Sequence, residues 1–215
     1  MVPNQRLKGP PLLKNTASNG AGRTTDKFAR SLTPISWKET RARLRADHQR
    51  LLSILRNQQD YPRKRAHFHP SFICVFLYRV SNHLYRNGHG LLARFIWHWN
   101  VILTGAYIYP MADLGEGLVV MHPPGTAILG KAGRNLTVMA CSGLGGAGRT
   151  EDVGAGPDAA LLGDDVILEP HSGILGPVRV GDRVRVSVLV APKQDIPDDT
   201  WVTGQPPRLL PRRDL

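Results

Sequence analysis

The sequence predicts an α+β protein in which an N-terminal helical segment precedes a parallel β-helix built from hexapeptide repeats. Apolar residues recur at helical spacing between residues 36 and 104, and the spacing changes to six after Gly105. A period of six fits neither a helix nor an array of hairpins. In a parallel β-helix each hexapeptide supplies one short strand and one bend, and stacked coils share one core.

The helical segment begins with one long helix. Ser36 followed by Glu39 is a capping-box pattern that predicts a helix start, and Pro62 ends the segment, so we expect a helix over 36–59. Helical periodicity resumes over 70–104 as one or two helices, with a break at the turn RNGHG, residues 86–90. An apolar face after that turn indicates core or a subunit interface: Leu91, Leu92, Phe95, Ile96, Trp99 and Leu103.

The hexapeptide repeat is clearest over residues 160–191. Two apolar series run through this stretch with a period of six and an offset of four. The first residue of each hexapeptide fills the interior, and a small or β-branched residue fits the second inward position. The first series is Leu162, Leu168, Ile174, Val180 and Val186; the second is Val166, Ser172, Val178, Val184 and Val190; Ile108, Leu114 and Val120 continue the first series upstream, with Ala112 and Leu118 at the offset position.

These patterns divide the chain into four parts. Residues 1–34 are predicted to be a disordered basic extension, because Pro, Gly, Asn, Ser and Thr mix with basic residues without an apolar period. The helical segment covers 35–104. The β-helix covers 105–204 with a loop at about 146–159, and 205–215 form a C-terminal tail.

Composition limits the classes of partner. The net charge of +11 favours anionic partners such as nucleic acid, an acidic membrane or a phosphorylated small molecule. No nucleic-acid recognition motif accompanies that charge, so we expect no nucleic-acid partner. No apolar run reaches the roughly 18 residues of a membrane span, and no secretory signal is recognised, so we expect a cytoplasmic protein without membrane insertion. Two cysteines and the lack of CxxC or HExxH spacing predict neither a disulfide framework nor a metal site.

His122 is the residue that most suggests chemistry. It stands within LVVMHPPGTAILG, residues 118–130, between an apolar stretch and a Pro-Pro-Gly turn. A neutral imidazole in that place can act as a general base. From the residues alone a turn histidine without chemistry remains the alternative. The position of His171, directly before an inward hexapeptide position, indicates a structural or surface role for it.

The chain resembles the serine acetyltransferase family of hexapeptide-repeat acyltransferases over about residues 67–210. The resemblance rests on the helical segment combined with the hexapeptides, on His122 after the third hexapeptide, and on four segments: HPSFICVFLYRVSNHLYRNGHGLLARFIWHWNVILTG, GEGLVVMHPPGTAILG, GLGGAGR and LGDDVILEPHSGILGPVRVGDRVRV. It implies a left-handed β-helix, against the usual right-handed crossover. It also implies a homotrimer with active sites between subunits, and some relatives pair trimers through their helices.

The resemblance also implies the site. His122 aligns with the catalytic base, and acetyl-CoA is the implied co-substrate, with no metal. The glycine loop GLGGAGR, residues 143–149, aligns with the loop that approaches the pantetheine arm. The implied coenzyme contacts are Gly145, Gly146, Ala147, Pro170, Arg185 and Val188.

The resemblance fails at the groups that hold serine. Tyr107 replaces the aspartate that orients the base, and Met121 replaces the acid just before it. The Arg-His pair that holds the amino acid has no counterpart after the glycine loop. A backbone carbonyl, Glu116 or the Tyr107 hydroxyl are the candidates for orienting His122.

The predicted function is therefore transfer of an acetyl group from acetyl-CoA to a hydroxyl of a small acceptor. The acceptor is serine or, because the serine contacts are missing, a sugar or another hydroxyl compound. The alternative is a weak or inactive hexapeptide-repeat scaffold that serves in interactions. The family that the chain resembles carries about three more residues between Gly130 and Arg134. The resemblance therefore implies a tightened or distorted coil at that point.

Overall fold

A computed structural model describes residues 32–58 and 63–204. Three α-helices and a 3-10 helix come first: α1 (Trp37–Gln58), the 3-10 helix (Arg63–Phe68), α2 (Pro70–Arg86) and α3 (Gly90–Thr104). The predicted cap of α1 is present, since Glu39 N donates to Ser36 Oγ at 3.2 Å. The turn predicted at 86–90 separates α2 from α3. The predicted extension 1–34, apart from its last three residues, and the tail 205–215 lie outside the described residues.

Short parallel strands follow the helices. Their bounds are β1 (Tyr107–Ile108), β2 (Asp113–Leu114), β3 (Val119–Val120), β4 (Ala127–Ile128), β5 (Gly130–Ala132), β6 (Thr137–Val138), β7 (Gly143–Gly145), β8 (Ala160–Leu162), β9 (Ile167–Leu168), β10 (Gly173–Leu175), β11 (Arg179–Val180), β12 (Arg185–Val186) and β13 (Trp201–Val202).

Successive strands visit three parallel sheets in turn. The first sheet contains β1, β4, β7 and β10, the second β2, β5, β8 and β11, and the third β3, β6, β9, β12 and β13. From β1 to β9, each strand therefore pairs with the strand three positions later, as in Ile108 beside Ile128. This order is the coil arrangement that the six-residue period predicts.

The core lies between the three sheets and is lined by the hexapeptide series. Every member of the first series over 162–186 is at most 4% exposed, and in the second series all but the half-buried Val190 are buried. Because neighbouring coils place equivalent side chains above one another, each inward row buries a continuous apolar column. The predicted inward positions are confirmed.

One corner of the coils is held together by aspartates. The carboxylate of Asp164 accepts from Arg134 N, Asp182 accepts from Asp164 N, and Asp198 accepts from Asp182 N, at 2.7, 2.7 and 2.9 Å. Glycine precedes each of the first two donor positions because a Cβ at Gly133 or Gly163 would collide with the carboxylate of the next coil. The small residues of the repeat are therefore required by this close approach.

Two corners next to β4 depart from the regular length. Between β4 and β5 only Leu129 intervenes, so the coil is tightened there, just before the segment between Gly130 and Arg134 where the sequence predicts it. The preceding corner, between β3 and β4, is longer and holds residues 121–126. The extra length lies at the turn that carries His122.

The helix α3 turns most of its apolar residues outward. Its buried side chains are Ala93, Asn100 and Thr104, whereas Phe95 is 57% and Ile102 70% exposed. The expectation that this face is core is therefore wrong for most of its residues, and the alternative, an interface, stays a prediction. None of the helices in the described ranges combines the length and the hydropathy of a membrane span.

Candidate active site

His122 lies on the long turn between β3 and β4. Its φ of 57° is left-handed, a conformation that histidine, asparagine and aspartate adopt more readily than most residues. The turn closes when Thr126 N donates to Pro123 O at 3.1 Å, and it docks on the end of α3, where Gly125 N donates to Gly105 O at 3.1 Å. The imidazole is exposed, so the turn presents it outward rather than packing it.

Met121, where the family keeps an acid, turns inward. It is 9% exposed and packs in an apolar cluster with Leu51 and Leu55 of α1 and Val119 of β3. An acid at this position would have to be buried among these apolar side chains. The residue therefore anchors the His122 turn to α1.

A second histidine lies near His122. His69 caps α2, with its Nδ1 accepting from Ser71 N at 3.2 Å. Burial lowers the pKa of His69, and the charge that His122 takes on protonation lowers it further. Sequence reasoning missed His69, although its position directly before Pro70, at a helix start, was a signal for it.

The two residues predicted as orienting groups, Tyr107 and Glu116, lie in different surroundings. Tyr107 packs edge-on against Trp97 and Tyr109, at 4.7 and 5.0 Å between ring centroids. Burial, together with a hydrogen bond to Tyr107, raises the pKa of Tyr109. Glu116 is exposed at the corner before β3, at the other end of that strand from His122. Orientation of His122 by either residue stays a prediction.

A groove of about 310 Å³ leads away from the His122 turn along the first sheet. It begins at Gly125 of that turn, crosses the glycines of β7 and β10, and reaches the last described coils. Its lining is Gly125, Ala127, Cys141, Ser142, Gly143, Leu144, Gly145, His171, Ser172, Gly173, Leu175 and Ala191. A larger cavity of about 600 Å³ lies at the α2–α3 turn and contains none of the predicted site residues.

The glycine loop is shaped by Asp158. Ala147 N, Gly148 N and Arg149 N donate to its carboxylate at 2.9, 2.8 and 2.9 Å. Gly146 has no room for a side chain, because a Cβ there would meet the same carboxylate. Gly145 lines the groove and a Cβ there would meet nothing within 4 Å. Of the predicted contacts, Gly145 therefore lines the groove, and Gly146 and Ala147 follow it in the glycine loop.

The other three predicted coenzyme contacts meet around Glu169. Arg185 Nε donates to Glu169 Oε1 at 2.6 Å, and Val188 N donates to Glu169 Oε2 at 3.1 Å. Pro170 follows Glu169 in the chain and has no backbone N–H to donate. Sequence reasoning missed Glu169, whose signal was an acid in the turn LEPH at the end of a strand.

His171 occupies a similar corner two coils further along the same edge. It is exposed with a φ of 59°, follows β9 as His122 follows β3, and lines the groove. Its backbone N donates to Ala140 O at 3.0 Å. Within 32–58 and 63–204, no three His, Cys, Asp or Glu side chains are grouped so as to hold a metal ion.

Comparison with known proteins agrees with this architecture. The chain is 29% identical to a serine acetyltransferase of Synechococcus elongatus over 146 residues, which are 67% of this chain and 58% of that protein. The chain is thus similar to serine acetyltransferases over about two thirds of its own length. It spans about three fifths of the length of that relative, and no family model matches it.

Solved structures share the fold. A Neisseria gonorrhoeae serine acetyltransferase in complex with serine has a TM-score of 0.68 at 23% identity, over 80% of this chain and 69% of the other. A serine acetyltransferase solved in complex with CoA has a TM-score of 0.67 at 16% identity, over 87% of this chain and 74% of the other. At these identities the likeness concerns the arrangement of helices and parallel sheets.

Proposed function

We propose that the chain is an acetyl-CoA-dependent O-acetyltransferase with His122 as its general base. The observation that carries the proposal is the groove that joins the exposed His122 turn to the glycines of β7. The sequence similarity to serine acetyltransferases supports it, since those relatives are named for this reaction. The complex of one structural relative with CoA supports acetyl-CoA as the co-substrate.

In this reaction His122 takes the proton of the acceptor hydroxyl. The oxygen attacks the carbonyl carbon of the thioester, a new ester bond forms, and the carbon–sulfur bond breaks. The imidazolium then returns the proton to the leaving thiolate. A base is needed because a neutral alcohol is a weak nucleophile, and an exposed imidazole is suited to this role.

We propose serine, a sugar or another small hydroxyl compound as the acceptor. A relative solved in complex with serine supports serine. A neutral acceptor is supported by Met121, the residue before His122, which is apolar and buried in an apolar cluster. An ammonium group is better held by a carboxylate.

The test is release of CoA thiol from acetyl-CoA with serine, homoserine and a panel of sugars. We expect release with at least one acceptor, and the identity of that acceptor decides between an amino acid and a neutral compound. A scaffold without activity predicts no release above the rate without protein for any acceptor. That result would contradict the proposed function.

We also propose a cytoplasmic homotrimer with left-handed coils. The exposed apolar face of α3 and the exposed Leu175 and Leu189 of the coils supply side chains for contact with a second copy. Light scattering should then give three times the chain mass of 23.7 kDa, or six times it where trimers pair. Replacing Phe95 and Ile102 together by Glu should lower that mass, and an unchanged mass would exclude this face from the interface.

A further inference from the structure

Glu169 is the acid that connects the predicted coenzyme contacts. Its side chain is 13% exposed, much less than the 52% of its partner Arg185. One carboxylate oxygen accepts from the Arg185 guanidinium and the other from Val188 N. The Glu169 carboxylate therefore neutralises the charge of Arg185 and occupies the backbone donor of Val188.

Arg185 is held on its other side as well. The Trp201 ring lies 5.7 Å from the guanidinium carbon in a cation–π arrangement, and Trp201 Nε1 donates to Ser187 Oγ at 2.7 Å. Between Glu169 and Trp201 the guanidinium has a fixed place. An anion that approaches Arg185 meets a group whose charge is already paired.

Pro170 further reduces the donors that this part of the chain offers to a coenzyme. A proline has no backbone N–H, so this predicted contact offers only a carbonyl, which accepts from Leu189 N at 3.3 Å. Of the three predicted contacts in this part of the chain, one has no donor and two donate to Glu169. A coenzyme carbonyl can accept from Val188 N only if the carboxylate moves away, and a phosphate at Arg185 competes with the carboxylate for the guanidinium.

We propose that Glu169 competes with the coenzyme for Arg185 and Val188 N and thereby sets the affinity of the chain for the coenzyme. The inference rests on the proposed function, because it takes the bound molecule to be acetyl-CoA. The Glu169 carboxylate accepts from Arg185 and Val188 N until the coenzyme displaces it. The negative charge of Glu169 also repels the phosphates of acetyl-CoA.

The experiment is calorimetric titration of the full chain with acetyl-CoA. Glu169→Gln keeps the size and the acceptor oxygen but removes the charge, and Glu169→Ala removes the acceptor as well. We expect Kd to fall by roughly fivefold in Glu169→Gln, as for a partly exposed ion pair, and further in Glu169→Ala. In the double variant Glu169→Gln with Arg185→Gln the gain should disappear.

Asp199→Asn is the matched control. Asp199 pairs with Arg183 across the same separation of 16 residues as Glu169 with Arg185, and it carries the same charge at a neighbouring corner. We expect its Kd to equal that of the unaltered chain. A similar gain in this variant would show that net charge alone is responsible and would overturn the inference.

The remaining outcomes separate the inference from the proposed function. An unchanged or higher Kd in Glu169→Gln, with an unaltered melting temperature, overturns the role of Glu169 while acetyl transfer can still be measured. A tighter Kd in Glu169→Gln without thiol release in any variant supports the role of Glu169 and contradicts the catalysis. Lack of binding in every variant contradicts both.

Discussion

Asp47 of α1 and Arg79 of α2 form a buried ion pair that joins the helices to the first coil. Arg79 Nε donates to Asp47 Oδ2 at 2.9 Å, and the two side chains are 2% and 1% exposed. Each also binds the coil: Asp47 Oδ1 accepts from Leu118 N at 2.7 Å, and Arg79 Nη1 donates to Leu114 O at 2.6 Å. Burial and the Asp47 charge act in opposite directions on Arg79, and its pKa is raised.

Removal of this pair should destabilise the protein strongly. Asp47→Ala leaves a buried guanidinium and the Leu118 N–H without their acceptor, and such losses cost about 3–5 kcal/mol in the free energy of unfolding. Urea denaturation measures the change. Glu39→Ala is the control, because the Glu39–Arg43 pair is exposed and should contribute about 0.5 kcal/mol or less. Equal losses in the two variants would contradict the role assigned to the buried pair.

The glycines of the aspartate corner should be intolerant of any side chain. In Gly163→Ala the new Cβ would collide with the Asp182 carboxylate and lie 2.9 Å from the Gly181 carbonyl carbon. Overpacking of this kind lowers the free energy of unfolding by about 2 kcal/mol. A Cβ at Gly145 would meet nothing within 4 Å, so Gly145→Ala should leave the melting temperature nearly unchanged. A stable Gly163→Ala protein would mean that the corner relaxes.

The fold was largely predictable because burial follows the six-residue period. Leu168 and Ile174 point inward at the same phase in successive strands, so a period in the sequence is also a period in space. The outward face of α3 was not predictable in the same way. An apolar helix face has the same period whether it packs on its own chain or on a partner.

The candidate site was predictable at His122 and less so around it. The role of His122 as base was predicted from a resemblance that its neighbours in the sequence carry. Glu169 meets Arg185 and Val188 only because one coil stacks on the next, 16 and 19 residues apart, and no local pattern records that contact. His69 comes near His122 through the docking of α2 on the coils, which depends on packing rather than spacing.

His122 should be required for acetyl transfer. His122→Asn keeps a residue that tolerates the left-handed turn but removes the base, so the rate should fall by about 10²–10⁴-fold. Binding of acetyl-CoA should remain. His89→Asn is the control, since it changes an exposed histidine at the α2–α3 turn, away from the groove. A thiol-release assay that finds both variants equally active would remove His122 from the mechanism.

Stability should fall as the pH drops below about 6.5, the ordinary pKa of histidine. Burial, the first cause in each case, lowers the pKa of His48, His69 and His83. A histidine whose pKa is lower in the folded state binds its proton more readily when unfolded. The stability it contributes is therefore present above the unfolded pKa and is lost as the pH falls through it.

His48 offers the sharpest test of that pH dependence. Its Nε2 is buried with no hydrogen-bond partner in the described chain, and its ring lies 4.2 Å from the His67 ring and 4.8 Å from that of Phe72. His48→Phe keeps an aromatic ring and removes both the proton site and the unpaired nitrogen. Urea denaturation at pH 7.5 and 5.5 should show a smaller loss on acidification in this variant. A loss equal to that of the unaltered chain would place the acid sensitivity in other groups.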